Sequence, residues 1–165
     1  MKDKRDGKKY IYVFFLILSL GIIFITGCSK DEKSKEAKLA LIKTTNPHPA
    51  VLHETKKEFQ FSEELHKYVL SFPEIYDAAI IAGKKNILVA YKVKHLHRFR
   101  MKKIEKELKK KLEKKYPHHT FVVSSDYKIF IEAVELNEKL KDPNYSREKA
   151  KKRFKKILKL QKEQT

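Results

Sequence analysis

The chain has 165 residues, with 39 Lys and Arg against 21 Asp and Glu, and a formal net charge of +18 at pH 7. A single cysteine excludes an intramolecular disulfide framework, and four glycines with no Gly-rich run exclude a phosphate-cradling loop. The excess positive charge points to anionic partners such as phospholipid headgroups, teichoic-acid-like polymers or nucleic acid.

At the N-terminus, Lys2, Lys4, Arg5, Lys8 and Lys9 precede an apolar run from Tyr10 to Ile25, after which small residues lead into Cys28. This is the layout of a secretory signal peptide. The run Ile25-Thr26-Gly27-Cys28 resembles the bacterial lipobox: an aliphatic residue, a small or β-branched one, Gly or Ala, then Cys. The resemblance implies that a signal peptidase recognises Ile25, Thr26 and Gly27 and cleaves before Cys28. Cys28 would then carry a covalent diacylglycerol, and no other cofactor is expected. A rival reading is an uncleaved anchor, since residues 10–29 are 20 uncharged residues, long enough to span a bilayer. Flanking charge does not decide between the two, because residues 1–9 and 30–43 each carry five Lys or Arg. The position of the sole thiol, directly after Gly27 at the end of the apolar run, favours the lipoprotein. Two acyl chains would hold the protein stably at the membrane. Both readings place the body outside the cytosol.

Residues 28–60 read as a lipidated tether. Asp, Glu, Lys and Ser dominate its start, and Asn46-Pro47-His48-Pro49 opposes regular structure. Ser62 is then the expected N-cap of a helix carrying Phe61, Leu65, Tyr68, Val69 and Phe72 at helical spacing, closed by Pro73. Two strands, Tyr76–Ala82 and Ile87–Val93, are expected to form a hairpin across Gly83-Lys84-Lys85-Asn86. The next helix has Met101, Ile104, Leu108 and Leu112 in one stripe, opposite Lys103, Lys106, Lys110 and Lys114. Glu105 with Lys109, and Glu107 with Lys111, stand at the i,i+4 spacing of favourable ion pairs. Thr120–Ser124 is a third short strand and Asp126–Leu140 a helix. From Ser146 a last helix carries Ala150, Phe154, Ile157 and Leu158 on one side, among nine basic and two acidic residues. The expected fold is an α/β two-layer sandwich (α+β) with an α-β-β-α-β core and C-terminal helices. Residues 61–141 form the domain and residues 142–165 a basic amphipathic tail.

Chemistry-bearing residues are sparse. Asp77 reads either as a binding carboxylate or, more commonly, as a turn or capping group. His95 and His97 would share one face if the second strand of the hairpin continued, and His118 and His119 precede the third strand. With no cysteine beside them and no carboxylate placed, no metal site is expected. Ser124 and Ser125 beside Asp126 offer a hydroxyl, but nothing places a histidine or an oxyanion hole near them, so no enzyme is expected. Twelve basic residues against three acidic between Lys92 and Lys115 exceed an ordinary solvated face. Lys103, Lys106, Lys110 and Lys114 are therefore candidate contacts to an anionic lipid or envelope polymer, as are Lys152, Lys155 and Lys159 of the tail. In the tail, Phe154, Ile157 and Leu158 either enter a membrane interface or pack on the domain. Nucleic acid is disfavoured, since no aromatic-interleaved platform accompanies the charge.

The stretch Val69-Leu70-Ser71-Phe72-Pro73-Glu74-Ile75-Tyr76-Asp77-Ala78-Ala79-Ile80-Ile81 resembles the central block of the YhcN/YlaJ-type sporulation lipoproteins, with Pro73, Glu74, Asp77 and Ala78 as its motif residues. The Gly83–Asn86 turn, Leu88-Val89-Ala90-Tyr91, the Lys-rich helix and Phe121-Val122-Val123-Ser124 follow in the family's order. The family's acidic-Pro-acidic-Phe stretch is represented only by Asp126-Tyr127-Lys128-Ile129-Phe130, without its Pro, and the basic tail lies outside the pattern. The resemblance implies a lipid-anchored protein of an endospore-forming bacterium, acting at a spore membrane in maturation or germination. The element order is also similar to the ring-building modules of secretion and sporulation channels. That likeness implies a self-associating subunit as the alternative, beside a general envelope lipoprotein.

Overall fold

The computed structural model describes residues 47–52 and 55–163. The lipobox, Cys28 and the tether as far as residue 46 lie outside the described residues. The described chain runs β1 (Ala50–Val51), α1 (Lys56–Leu70), β2 (Ile75–Ala82), β3 (Asn86–Val93), a 3-10 helix (His95–Arg100), α2 (Met101–Lys115), β4 (Thr120–Ser124), α3 (Tyr127–Leu140) and α4 (Arg147–Glu163). The four strands form one mixed sheet in chain order, β1-β2-β3-β4. The hairpin β2-β3 is antiparallel, and β1 and β4 pair parallel to their neighbours.

The fold is α+β, as the sequence leads one to expect. Strand alternation sends Ala78, Ile80, Ile87, Val89, Tyr91, Phe121 and Val123 to one face of the sheet, under Leu65 and Val69 of α1 and Ile104, Leu108 and Leu112 of α2. Those two helices and the sheet are the two-layer sandwich. Ala79, Ile81, Leu88 and Ala90 line the opposite face, which the C-terminal helices cover with Ile129, Phe130, Ala133, Ala150, Phe154 and Ile157. With both faces covered, the central strands read as near-continuous apolar runs.

Three expectations give way. The helix expected to begin at Ser62 begins about two turns earlier, where Thr55 Oγ1 accepts the Glu58 N–H at 3.2 Å and Glu58 sits three residues on, as in a capping box. Ser62 is buried inside the helix and donates to the Phe59 carbonyl at 2.8 Å. The tether does not extend to residue 60, because Ala50 and Val51 pair with Ile81 and Ala82 as an edge strand and Leu52 N–H donates to the Ala82 carbonyl at 2.9 Å. Residues from Arg147 onward are a helix of the domain, with Ala150, Phe154 and Ile157 buried. The hairpin turn shows how closely that helix docks: a Cβ on Gly83 would stand 2.9 Å from a ring carbon of Phe154 and 2.9 Å from the Asn86 carbonyl oxygen.

Candidate functional site

A register shift between Ile75 and Asp77 opposes one residue of β3 with an extra residue of β2. This bulge leaves Tyr76 half-exposed and brings Asp77 opposite Lys92. The Asp77 carboxylate is fully buried and lies 3.0 Å from Lys92 Nζ, which also stands 4.1 Å from the centre of the Phe130 ring. Asp77 is thus an internal ion-pair partner within a strand, neither a turn cap nor a surface carboxylate. The other motif residues also serve the fold. Pro73 lies in the turn after α1, Glu74 accepts Lys94 N–H on its carbonyl at 2.8 Å, and the Ala78 carbonyl meets His66 Nε2 at 3.0 Å.

The Ser-Ser-Asp run is likewise consumed by structure. Ser125 donates from both N–H and Oγ to Glu105 Oε2, each at 3.1 Å, and Asp126 caps α3 by accepting from Lys128 and Ile129 N–H at 2.8 and 3.0 Å. Glu105 therefore turns to the β4–α3 junction, while the pairs on α2 are Lys103–Glu107 and Lys109–Glu113, each at 3.9 Å. Lys111 instead lies 4.7 Å above the Phe72 ring. Beside this junction Tyr91 is buried, and burial first, then the charge of Glu105, pushes its hydroxyl pKa far above the ordinary tyrosine value. β3 ends at Val93, so His95 and His97 sit on the 3-10 helix and do not share a strand face. His119 packs against Phe61 at 4.6 Å between ring centres, and His118 is exposed. Among the described residues no group of three His, Cys, Asp or Glu could hold a metal ion.

All seven candidate contact lysines are exposed: Lys103, Lys106, Lys110 and Lys114 on α2, and Lys152, Lys155 and Lys159 on α4. The sheet separates them, because α2 covers one face and α4 the other. They form two basic surfaces, not one. Phe154 and Ile157 are 5 % and 1 % exposed, so the tail's apolar stripe faces the domain and is not available to a lipid interface.

Two features have no counterpart among the residues singled out from sequence. The first is a knob on the 3-10 helix, where Leu96 and Phe99 are 86 % and 99 % exposed among Lys94, Arg98, Arg100, Lys102 and Lys103. Its signal in the sequence is two large apolar residues three apart inside a basic run. The second is an open groove of about 1380 Å³ along β4, bounded by Arg98, Met101, Lys102, Lys106 and Lys109 on one side and by Tyr76, Tyr127 and Lys162 on the other. The groove follows β4 because, among the described residues, β4 is an edge strand of the sheet. Among the described residues no helix is long and apolar enough to cross a membrane. Comparison with protein-family models, with curated proteins and with solved structures finds no match.

Proposed function

We propose that the protein is a non-enzymatic interaction module held by a diacylglycerol on Cys28 to the extracytoplasmic face of a membrane, and that this membrane is a spore membrane where the module acts in maturation or germination. The spore assignment rests on the resemblance of residues 69–81 and of the elements that follow them to the YhcN/YlaJ-type lipoproteins. The observation that supports a binding rather than a catalytic role is the division of labour among polar groups. Asp77, Glu105, Ser124, Ser125 and Asp126 are engaged in pairing and capping, whereas Lys103, Lys106 and Lys110 of α2 and the knob of Leu96 and Phe99 face outward. A lysine-rich face with an apolar tip suits an anionic lipid surface or envelope polymer.

The test is fractionation of growing cells and purified spores, with the wild-type chain and with Cys28→Ala. The wild-type chain is expected in the spore membrane fraction at the size of residues 28–165 and carrying incorporated fatty-acid label, and the variant, which a signal peptidase cutting before Cys28 would leave uncut, is expected at full length and without label. A wild-type chain of full length that takes up no fatty-acid label would overturn the lipid anchor. Equal abundance in growing-cell membranes would overturn the spore assignment and leave a general envelope lipoprotein.

A further inference from the structure

We propose that the groove along β4 binds an acidic segment of another protein in extended conformation, which adds to the sheet as a fifth strand. The argument begins with the backbone. Thr120 N–H donates to the Lys85 carbonyl at 3.0 Å, and the parallel register runs from Asn86 opposite Thr120 to Ala90 opposite Ser124. Alternate residues of such a strand bond to the neighbour, so Phe121 and Val123 turn their N–H and C=O groups to the other side. Among the described residues no strand follows β4 there. The next residue in that alternation, Ser125, has its N–H bound by Glu105, which ends the open stretch. A strand edge of this kind is a template for an added chain. Among the described residues the strand at the opposite edge of the sheet, β1, has two residues.

The walls select the occupant. Arg98, Lys102, Lys106, Lys109 and Lys162 border the groove, and its two carboxylates, Glu105 and Asp126, are held by Ser125 and by the first turn of α3. Tyr76 and Tyr127, each about half-exposed, and Met101 supply apolar surface for alternate side chains of a guest strand. A second copy of this chain would bring a lysine-lined edge against a lysine-lined edge, within a molecule of net charge +18. The charges that repel a copy attract carboxylates.

The test uses the full-length chain in non-ionic detergent. The probes are a nine-residue peptide alternating Glu or Asp with Val, the same peptide N-methylated at every second amide, and a Lys-for-Glu version. The readouts are fluorescence anisotropy of the labelled peptide and amide hydrogen exchange of the protein. The acidic peptide is expected to bind and to slow exchange at Phe121 and Val123. N-methylation on the pairing side should abolish binding, and Lys102→Glu with Lys106→Glu should weaken it about tenfold. Equal binding of the N-methylated peptide would overturn strand addition and leave a charged surface only. Slow exchange at Phe121 and Val123 in the free chain at every concentration would mean an edge already paired within the molecule, and slowing that grows with protein concentration would mean a second copy. Protection of the same amides by anionic vesicles without peptide would assign the groove to lipid. Each of these outcomes would overturn the proposal while leaving the Cys28 anchor untouched.

Discussion

Asp77 and Lys92 form a charged pair inside the sheet, with side chains 0 % and 10 % exposed. Taking both groups out of water is costly, and mutual attraction and the Phe130 ring return part of that cost. Such a pair stabilises weakly against apolar replacements but strongly against removal of one member. Asp77→Leu alone is expected to destabilise the fold by about 3–5 kcal/mol, whereas Asp77→Leu with Lys92→Met should recover most of that loss. Urea denaturation of the two variants checks it, and equal destabilisation by both would show that the pair itself is not what matters. The pair stands beside the bulge of β2, where Tyr76 is the extra residue and Asp77 lies opposite Lys92.

At the scale of elements, α4 is held by a short list of side chains. Phe154 lies over the hairpin turn against Gly83, Arg153 Nη2 donates to Glu132 Oε2 at 3.0 Å and also reaches Glu135, and Arg147 donates to the Val51 carbonyl at 3.3 Å. Phe154→Ala should cost about 3–5 kcal/mol in global stability. Limited proteolysis and denaturant unfolding check this, and a change below about 1 kcal/mol would mean that α4 rests on the sheet without securing it. This element also shows where sequence reasoning stops. The stripe of Ala150, Phe154, Ile157 and Leu158 was legible as one apolar face, but the same spacing suits a helix on a bilayer and a helix on a sheet. What decides is the uncovered face of Ala79, Ile81, Leu88 and Ala90, which becomes visible only once the strands are in register. The hairpin, α2 and β4 were legible because periodicity and the Gly83–Asn86 turn are local signals. β1 was not: two residues after Pro49 carry no period, and their pairing with β2 is set about thirty positions downstream in the chain. The groove was illegible for the same reason, since its existence depends on strand order.

For the whole molecule, basic charge on both outer surfaces means that a flat anionic surface meets one side at a time. The knob of Leu96 and Phe99 marks the α2 side, because it sets two almost fully exposed apolar side chains among lysines and arginines. A chain beginning at residue 29, without the apolar run and the lipid, is expected to bind vesicles containing anionic lipid, to lose most of that binding at high salt, and to lose a further tenfold or so on Leu96→Ser with Phe99→Ser. Vesicle co-sedimentation reads this, and unchanged binding by the double variant would assign the attraction to diffuse charge. The early docking of β1 has a mechanical consequence. The Leu52 N–H bond to Ala82, the Arg147 bond to Val51 and the Asn137 bond to the His48 carbonyl fix the chain to the domain close to Pro47. With the lipid on Cys28 as proposed, the leash to that point is about 19 residues, a contour of at most about 65 Å, where a tether reaching residue 60 would allow about 110 Å. Any partner of the β4 groove must therefore come to the membrane, since the domain has little length with which to reach out and find it.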